Sequence, residues 1–449
     1  MRNHRIDSRP HVQGTAAPLR IRHSARGLTD GAGLLLFRQL WDRLDLGRRI
    51  EHHAPQIGGR FRSPLMIESW IALLLYGGGA MDDLQWLDGR GVRSLFGWKT
   101  VPDPTTFGRW LRRGGKEMTE LLDELTWYMV RTRWAEKGKP KSMMLVLDST
   151  VVARYGLKQA GAEKGYNPTK PGRPSHHPLV AFTDTGDCLG VRWRSGSAHT
   201  AEGAGDWVRD LVRKLRQVGV RDITVRLDKG FFSKDMVTTL VDLGVSFVLK
   251  VPNHKWVRRT LGAYRQSEKD PDLWTATGEL YDVRLCSVER RRLVDTSEAG
   301  TGALALETYE VDRVSHVLTN IPGIHALTAW RTYNQGTFVE QRIKELYQVG
   351  FGRTAVDDLG GNAILAGLGV LAYQMLHVVR TTAMTGEWRR AQPARLRAWL
   401  FRLPAKVTTH ARKKYVQLGR EEPLRKLFLS ALRGLGALAP PRTRVLALG

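Results

Sequence analysis

Two short apolar runs that each stop at an aspartate constrain this chain most. Met143-Met144-Leu145-Val146-Leu147 runs without interruption into Asp148, and the alternating segment Asp222 to Leu227 runs into Asp228. Runs of this length read as buried strands. Between them, Ala204 to Gln217 places Trp207, Leu211 and Leu215 on one helical face. His177 to Phe182 and Cys188 to Trp193 read as a hairpin around Asp184-Thr185-Gly186-Asp187, and Val245 to Val251 as a further strand. Strands, helix and strand in this order predict an α/β fold, a sheet covered on both faces.

The flanking segments have a different period. From Thr29 to about Trp134 the apolar residues recur at helical spacing, as in Leu34, Leu35, Phe37, Leu40, Trp41 and Leu44. Ser63-Pro64 reads as a cap and first position of a helix, and Asp103-Pro104 as a second such start. Alternating runs between 253 and 328 predict a β-rich insertion, after which helices resume at Thr337 to Val349 and Ala363 to Val379. The expected division is a helical N-terminal region (1–135) and a first core part (141–252). The β-rich insertion (253–328), a second core part (329–385) and a basic, mostly helical C-terminal region (386–449) follow.

Charge narrows the function. The 449 residues carry 70 Lys+Arg against 44 Asp+Glu, a net charge of +26. That surplus excludes an acidic small-molecule enzyme and points to a polyanionic partner, nucleic acid first. From Glu387 to Gly449 there are 15 Lys+Arg against 3 Asp+Glu, net +12. The first 25 or so residues read as a basic arm without the apolar centre of a signal peptide. Cys188 and Cys286 lie in no CxxC pair, which argues against a zinc ribbon or disulfide framework. The 14-residue apolar stretch Ala363 to Leu376 is too short to span a bilayer, so no membrane is expected and the chain reads as cytoplasmic and nucleoid-associated.

Asp148, Asp228 and Glu340 are separated by 80 and 112 residues, so no local motif joins them. Adjacent strand ends of an open α/β sheet are where active sites gather, and a neighbouring helix can add the third carboxylate. Three hard oxygen ligands suit Mg²⁺, with Mn²⁺ as a substitute. Two such ions about 3.5–4 Å apart activate a water or 3′-hydroxyl and stabilise the leaving oxygen in phosphodiester chemistry. Taken singly, Asp148 also reads as a turn cap, Asp228 as a partner of Lys229, and Glu340 as a helix partner of Lys344.

A resemblance joins them. Leu147-Asp148-Ser149-Thr150, Lys164-Gly165-Tyr166-Asn167-Pro168, Gly172-Arg173-Pro174-Ser175, His177-Pro178-Leu179 and the Ala198-His199-Thr200 segment resemble the DDE transposases of bacterial insertion sequences, in the group related to insertion sequence 1380. Arg226 to Phe231 resembles that family's second-Asp block, and Tyr333-Asn334-Gln335 with Glu340 to Leu346 its Glu block. Asn362 and Leu371-Ala372-Tyr373 resemble the helix after it, and the similarity runs from about Leu19 to Leu429. It implies a ribonuclease-H-like mixed-sheet core interrupted by a β-rich insertion, with Asp148, Asp228 and Glu340 as catalytic metal ligands for two Mg²⁺ ions. Related hairpin-forming transposases carry an Arg and a Lys where this chain has Gly336 and Tyr347.

Candidate DNA contacts are Arg109, Arg112 and Arg113 at helical spacing, Lys164, Asn167 and Arg173 in a Lys-, Gly- and Pro-rich loop, Lys229 and Tyr333, Arg342 and Lys344, and Arg412, Lys413 and Lys414. Trp256 and Trp274 are candidates for base stacking. His199 and Glu202 read better as a structural pair than as ligands, with Thr200 capping the following helix. The expected activity is binding to terminal inverted repeats as a homodimer or higher oligomer, metal-dependent cutting of double-stranded DNA, and joining of 3′ ends to a target. The alternatives are a catalytically impaired DNA-binding relative and a hydrolysis-only metal-dependent nuclease.

Overall fold

The computed structural model describes residues 26–154, 158–168, 170–294, 308–336, 338–411, 413–420 and 423–439, with short backbone pairings at Arg5–Ile6 and Leu19–Arg20. Most of the basic N-terminal arm, and Arg412, lie outside the described residues.

The N-terminal part is helical: α1 (Leu35–Arg43), α2 (Leu46–His53), α3 (Ser63–Tyr76), α4 (Arg90–Phe96), α5 (Pro104–Arg113) and α6 (Gly115–Lys137). Asp103 starts α5 as expected, its Oδ1 accepting the Thr106 N–H at 2.9 Å. Ser63 is no cap. Arg62 holds that position, and the Ser63 hydroxyl accepts the Trp110 indole N–H at 3.2 Å instead.

The next strands are β1 (Ser142–Ser149), β2 (Leu179–Thr183), β3 (Cys188–Arg192), β4 (Asp222–Leu227) and β5 (Ser246–Val251). Helix α7 (Ala204–Gln217) leads into β4, and α8 (Lys234–Asp242) links β4 to β5. Strand β1 pairs parallel with β4, and β4 parallel with β5, while β1–β2 and β2–β3 are antiparallel. Helix α7 is capped at Gly203, in the left-handed region at φ 66°, rather than at Thr200.

The β-rich stretch is not a separate sheet. Strands β6 (Arg265–Ser267), β7 (Asp270–Leu280), β8 (Val283–Val294) and β9 (Thr308–Thr319) extend the same one, β9 pairing antiparallel with β5. The result is one mixed nine-stranded sheet in the order β6-β7-β8-β9-β5-β4-β1-β2-β3. A mixed sheet of this kind is consistent with the ribonuclease-H-like core expected from the sequence.

Helix α9 (Ala326–Gln335), which periodicity did not single out, lies over the extension, with α10 (Phe338–Gln348) and α11 (Leu359–Val378) after it. One face of the sheet packs Leu145, Leu147, Val225, Leu227 and Leu249 against Trp207, Leu211 and Leu240 of α7 and α8. The other packs Val146, Val180 and Phe182 against Leu122, Leu371 and Tyr373 of α6 and α11. Helix α11 together with its continuation to Ala383 is long and apolar enough to cross a membrane, which corrects the length argument. However, 94% of its most apolar window is buried inside the protein, as in a core helix. The C-terminal region is less helical than expected: Ala405–His410 and Lys413–Leu418 form a hairpin before a last helix, Arg425–Ala437.

Buried charges tie these layers together. Asp187, fully buried after the β2–β3 turn, accepts from the Arg133 Nε at 2.7 Å, the Trp134 indole at 3.0 Å and the Gln374 amide at 2.7 Å. These donors outweigh burial and hold its carboxyl below the usual range. Glu345 of α10 is clasped by Arg342 at 2.9 Å and Arg380 at 3.1 Å.

Candidate active site

In the β1–β4 register Val146 stands opposite Arg226. Two residues further on, Asp148 and Asp228 therefore reach the same level on neighbouring parallel strands, at their carboxyl ends and on one face. That face is the one carrying Val146 and the Arg226 guanidinium. Glu340 lies in the first turn of α10 and is exposed.

Asp148 feels the other two carboxylates. Burial pushes the Asp148 carboxyl up to about 6, and the charges of Asp228 and Glu340 add to the rise. The Ser149 N–H, 2.8 Å from its Oδ1, and the Arg226 charge oppose it. Three carboxylates sharing one electrostatic neighbourhood have the hard-oxygen chemistry of a divalent cation site. The spacing is open, however: among the described residues no three His, Cys, Asp or Glu side chains stand close enough to hold an ion.

Tyr333 of α9 joins the centre. Its hydroxyl donates to Asp228 Oδ1 at 3.1 Å, and burial together with the nearby carboxylates pushes its own pKa up. The Arg226 guanidinium carbon sits 4.4 Å and the Lys250 ammonium 5.2 Å from its ring centroid. Burial pulls the Lys250 amine down, against Asp228, which raises it. Sequence reasoning gave no role to Arg226 or Lys250. The available signal was a cation at an inward position of an otherwise apolar strand, Val225-Arg226-Leu227 and Leu249-Lys250-Val251.

The two departures from the resemblance both have structural neighbours. Gly336 abuts Arg226, so the cation beside the carboxylates comes from β4 and not from position 336. Tyr347 bonds the Thr150 hydroxyl at 3.0 Å, bracing the segment that follows Asp148.

Most of the other candidate residues are spread over the surface. Arg109, Arg112 and Arg113 all lie exposed on α5, Arg112 paired to Asp357 at 2.9 Å and Arg113 donating to the Gly58 carbonyl at 3.2 Å. Lys164 and Arg173 are exposed, whereas Asn167 is buried, its side-chain oxygen accepting the Lys170 N–H at 2.9 Å. Lys229 and Lys344 are exposed, and Arg342 is held by Glu345. Lys413 lies at the C-terminal hairpin turn, and Lys414 donates to the Ser94 carbonyl at 2.9 Å. Trp256 follows β5, 45% exposed and stacked on Phe232 and His254. Trp274 lies under the Arg291 guanidinium, 4.2 Å from its centroid. His199 is a local structural residue, its Nδ1 accepting the Ala201 N–H at 3.2 Å.

Comparison with known proteins gives the context. No curated protein matches the chain. Among solved structures it is similar to a piggyBac transposase synaptic complex with hairpin DNA, determined by cryo-electron microscopy. The TM-score is 0.42 at 15% identity, over 83% of this chain and 81% of that one. The model of the transposase DDE domain group 1 matches residues 12–440, nearly the whole length, and the chain belongs to that family.

Proposed function

We propose that this DDE-family transposase binds the terminal inverted repeats of an insertion sequence as a homodimer or higher oligomer, cuts the DNA and joins its 3′ ends to a target. Asp148, Asp228 and Glu340 are the residues that hold Mg²⁺, with Mn²⁺ able to substitute. The observation carrying this reading is the register that sets Asp148 beside Asp228 at the carboxyl ends of parallel strands.

The strands fix the two aspartates, whereas Glu340 is an exposed side chain in the first turn of α10. Tyr333 holds one oxygen of Asp228 through its hydroxyl. Arg226 offsets part of the repulsion within the trio. Asp148, Asp228 and Glu340 would hold divalent ions, which when bound would lower the pKa of the attacking water or 3′-hydroxyl and stabilise the leaving oxygen. The net charge of +26 draws the duplex to the protein, with an affinity that falls steeply with salt.

The test uses the purified chain, a labelled duplex ending in the element's terminal repeat, and Mg²⁺. Asp148→Asn and Glu340→Gln should bind the end as well as wild type yet leave it uncut. Cutting by both variants overturns the assignment. Wild-type binding without nicking, even in Mn²⁺, identifies an impaired relative, and nicking without joining or end preference identifies a plain nuclease.

A further inference from the structure

A cavity of about 440 Å³ opens on the carboxylate face of the sheet, between α9 and strands β5, β7, β8 and β9. Its lining includes Lys250, Arg290, Arg313, Ser315, Trp330 and Asn334, with Leu273 and Val288 completing an apolar wall, and no Asp or Glu among them. Register explains the grouping. Lys250 is level with Asp228 on the next strand, since Val248 pairs with Arg226. Val317 is level with Lys250, and Arg290 faces Arg313 four residues beyond that level. The three cations thus share the sheet face of Asp148 and Asp228, starting one strand away at about 4.8 Å per strand.

We propose that this cavity binds the phosphodiester backbone of the DNA strand whose bond is cut, a nucleotide or two from the carboxylates. The inference rests on the DNA-cutting reading above and adds a subsite to it. Lys250 is half-buried and its ammonium donates to the Ser315 hydroxyl, which fixes it at the mouth nearest Asp228. Tyr333 lies between, donating to Asp228 through its hydroxyl and meeting Lys250 with its ring, so one buried side chain links the cavity wall to the carboxylates. Arg290 and Arg313 are exposed at the far side. Arg290 and Arg313 face each other across the β8–β9 ladder and, with Lys250, give the lining positive charge and no carboxylate, which suits an anionic ligand. Trp330, Leu273 and Val288 give the sugar an apolar wall. A strand laid over this row therefore meets positive charge first and negative charge only where ions are to bind.

The test is made without divalent ions, so cutting does not enter. Full-length wild type and the double variant Lys250→Ala/Arg313→Ala are titrated with a labelled duplex bearing a single-stranded extension, over a range of salt concentrations. Loss of two phosphate contacts should reduce the slope of log K against log salt by about 1.4–1.8. The charge-keeping pair Lys250→Arg/Arg313→Lys should retain the wild-type slope. Should the double variant fail to fold, Arg313→Ala alone, at an exposed position, should reduce the slope by about 0.7–0.9. An unchanged slope overturns the proposal. So does inorganic phosphate, or a free mononucleotide, displacing DNA from wild type but not from the variant, because the site then takes free phosphate and not a strand. Cutting that persists in both Asp148→Asn and Glu340→Gln sinks the catalytic reading without touching this slope, so the two failures are distinguishable.

Discussion

A Cβ added to Gly336 would stand 2.8 Å from both Cδ and Nε of Arg226, so the turn between α9 and α10 is shaped around that guanidinium. Arg226 cannot retreat easily, since it is 6% exposed and lies over the Tyr333 ring. Gly336→Ala should therefore cost about 1–3 kcal/mol of stability. It should also slow cutting, because the displaced Arg226 disturbs Tyr333 and Asp228. Denaturant melts check the first effect and single-turnover cleavage the second. A variant as stable and active as wild type would mean the contact is slack.

Asp148 gives a pH-dependent expectation. Its carboxyl titrates near 6 in the fold against a reference value of 3.8. The folded chain thus binds its proton more tightly than the unfolded chain, and this contribution to stability, full below about pH 4, is lost as pH rises to about 6. The shift corresponds to at most about 3 kcal/mol. In metal-free buffer Asp148→Asn should be more stable than wild type above about pH 6, by roughly 1–3 kcal/mol, with the gap closing towards pH 4. Urea melts across that range provide the check. A variant less stable than wild type at neutral pH contradicts the expectation.

Tyr333→Phe removes one hydroxyl, the donor to Asp228 Oδ1 at 3.1 Å. A hydrogen bond to a charged group is worth about 1.5–3 kcal/mol. The single-turnover cutting rate should fall at least about tenfold, with DNA affinity unchanged. Equal rates in both proteins would remove Tyr333 from the centre.

Glu345→Ala leaves the guanidinium groups of Arg342 and Arg380, the latter 3% exposed, without their shared carboxylate. Breaking a buried ion pair from one side costs about 3–5 kcal/mol. Since α10 also carries Glu340, cutting should fail with folding. A thermal melt within a degree or two of wild type would show that the clasp contributes little.

The parts legible in sequence were those encoded locally. Asp148 and Asp228 stand out because each ends an apolar run, and α7 and β4 have the limits the pattern gives, Ala204–Gln217 and Asp222–Leu227. That the two aspartates are neighbours follows from a register between distant strands, which neither strand encodes alone. The β-rich stretch reads as strands, but its joining of the main sheet depends on β9 pairing with β5. Helix α9 carries a weak apolar period because two of its four buried residues, Ala326 and Ala329 beside Leu327 and Tyr333, are small. Arg226 and Lys250 were overlooked because their importance comes from a shared aromatic ring on another element.

Uptake of Mn²⁺ by the metal-free protein, followed by calorimetry near neutral pH with end DNA present, tests the central claim most directly. Wild type should take up about two ions per chain, and Asp148→Asn and Asp228→Asn should each lose that binding while still holding the DNA. Unaltered uptake by both variants would contradict a cation centre built from these carboxylates.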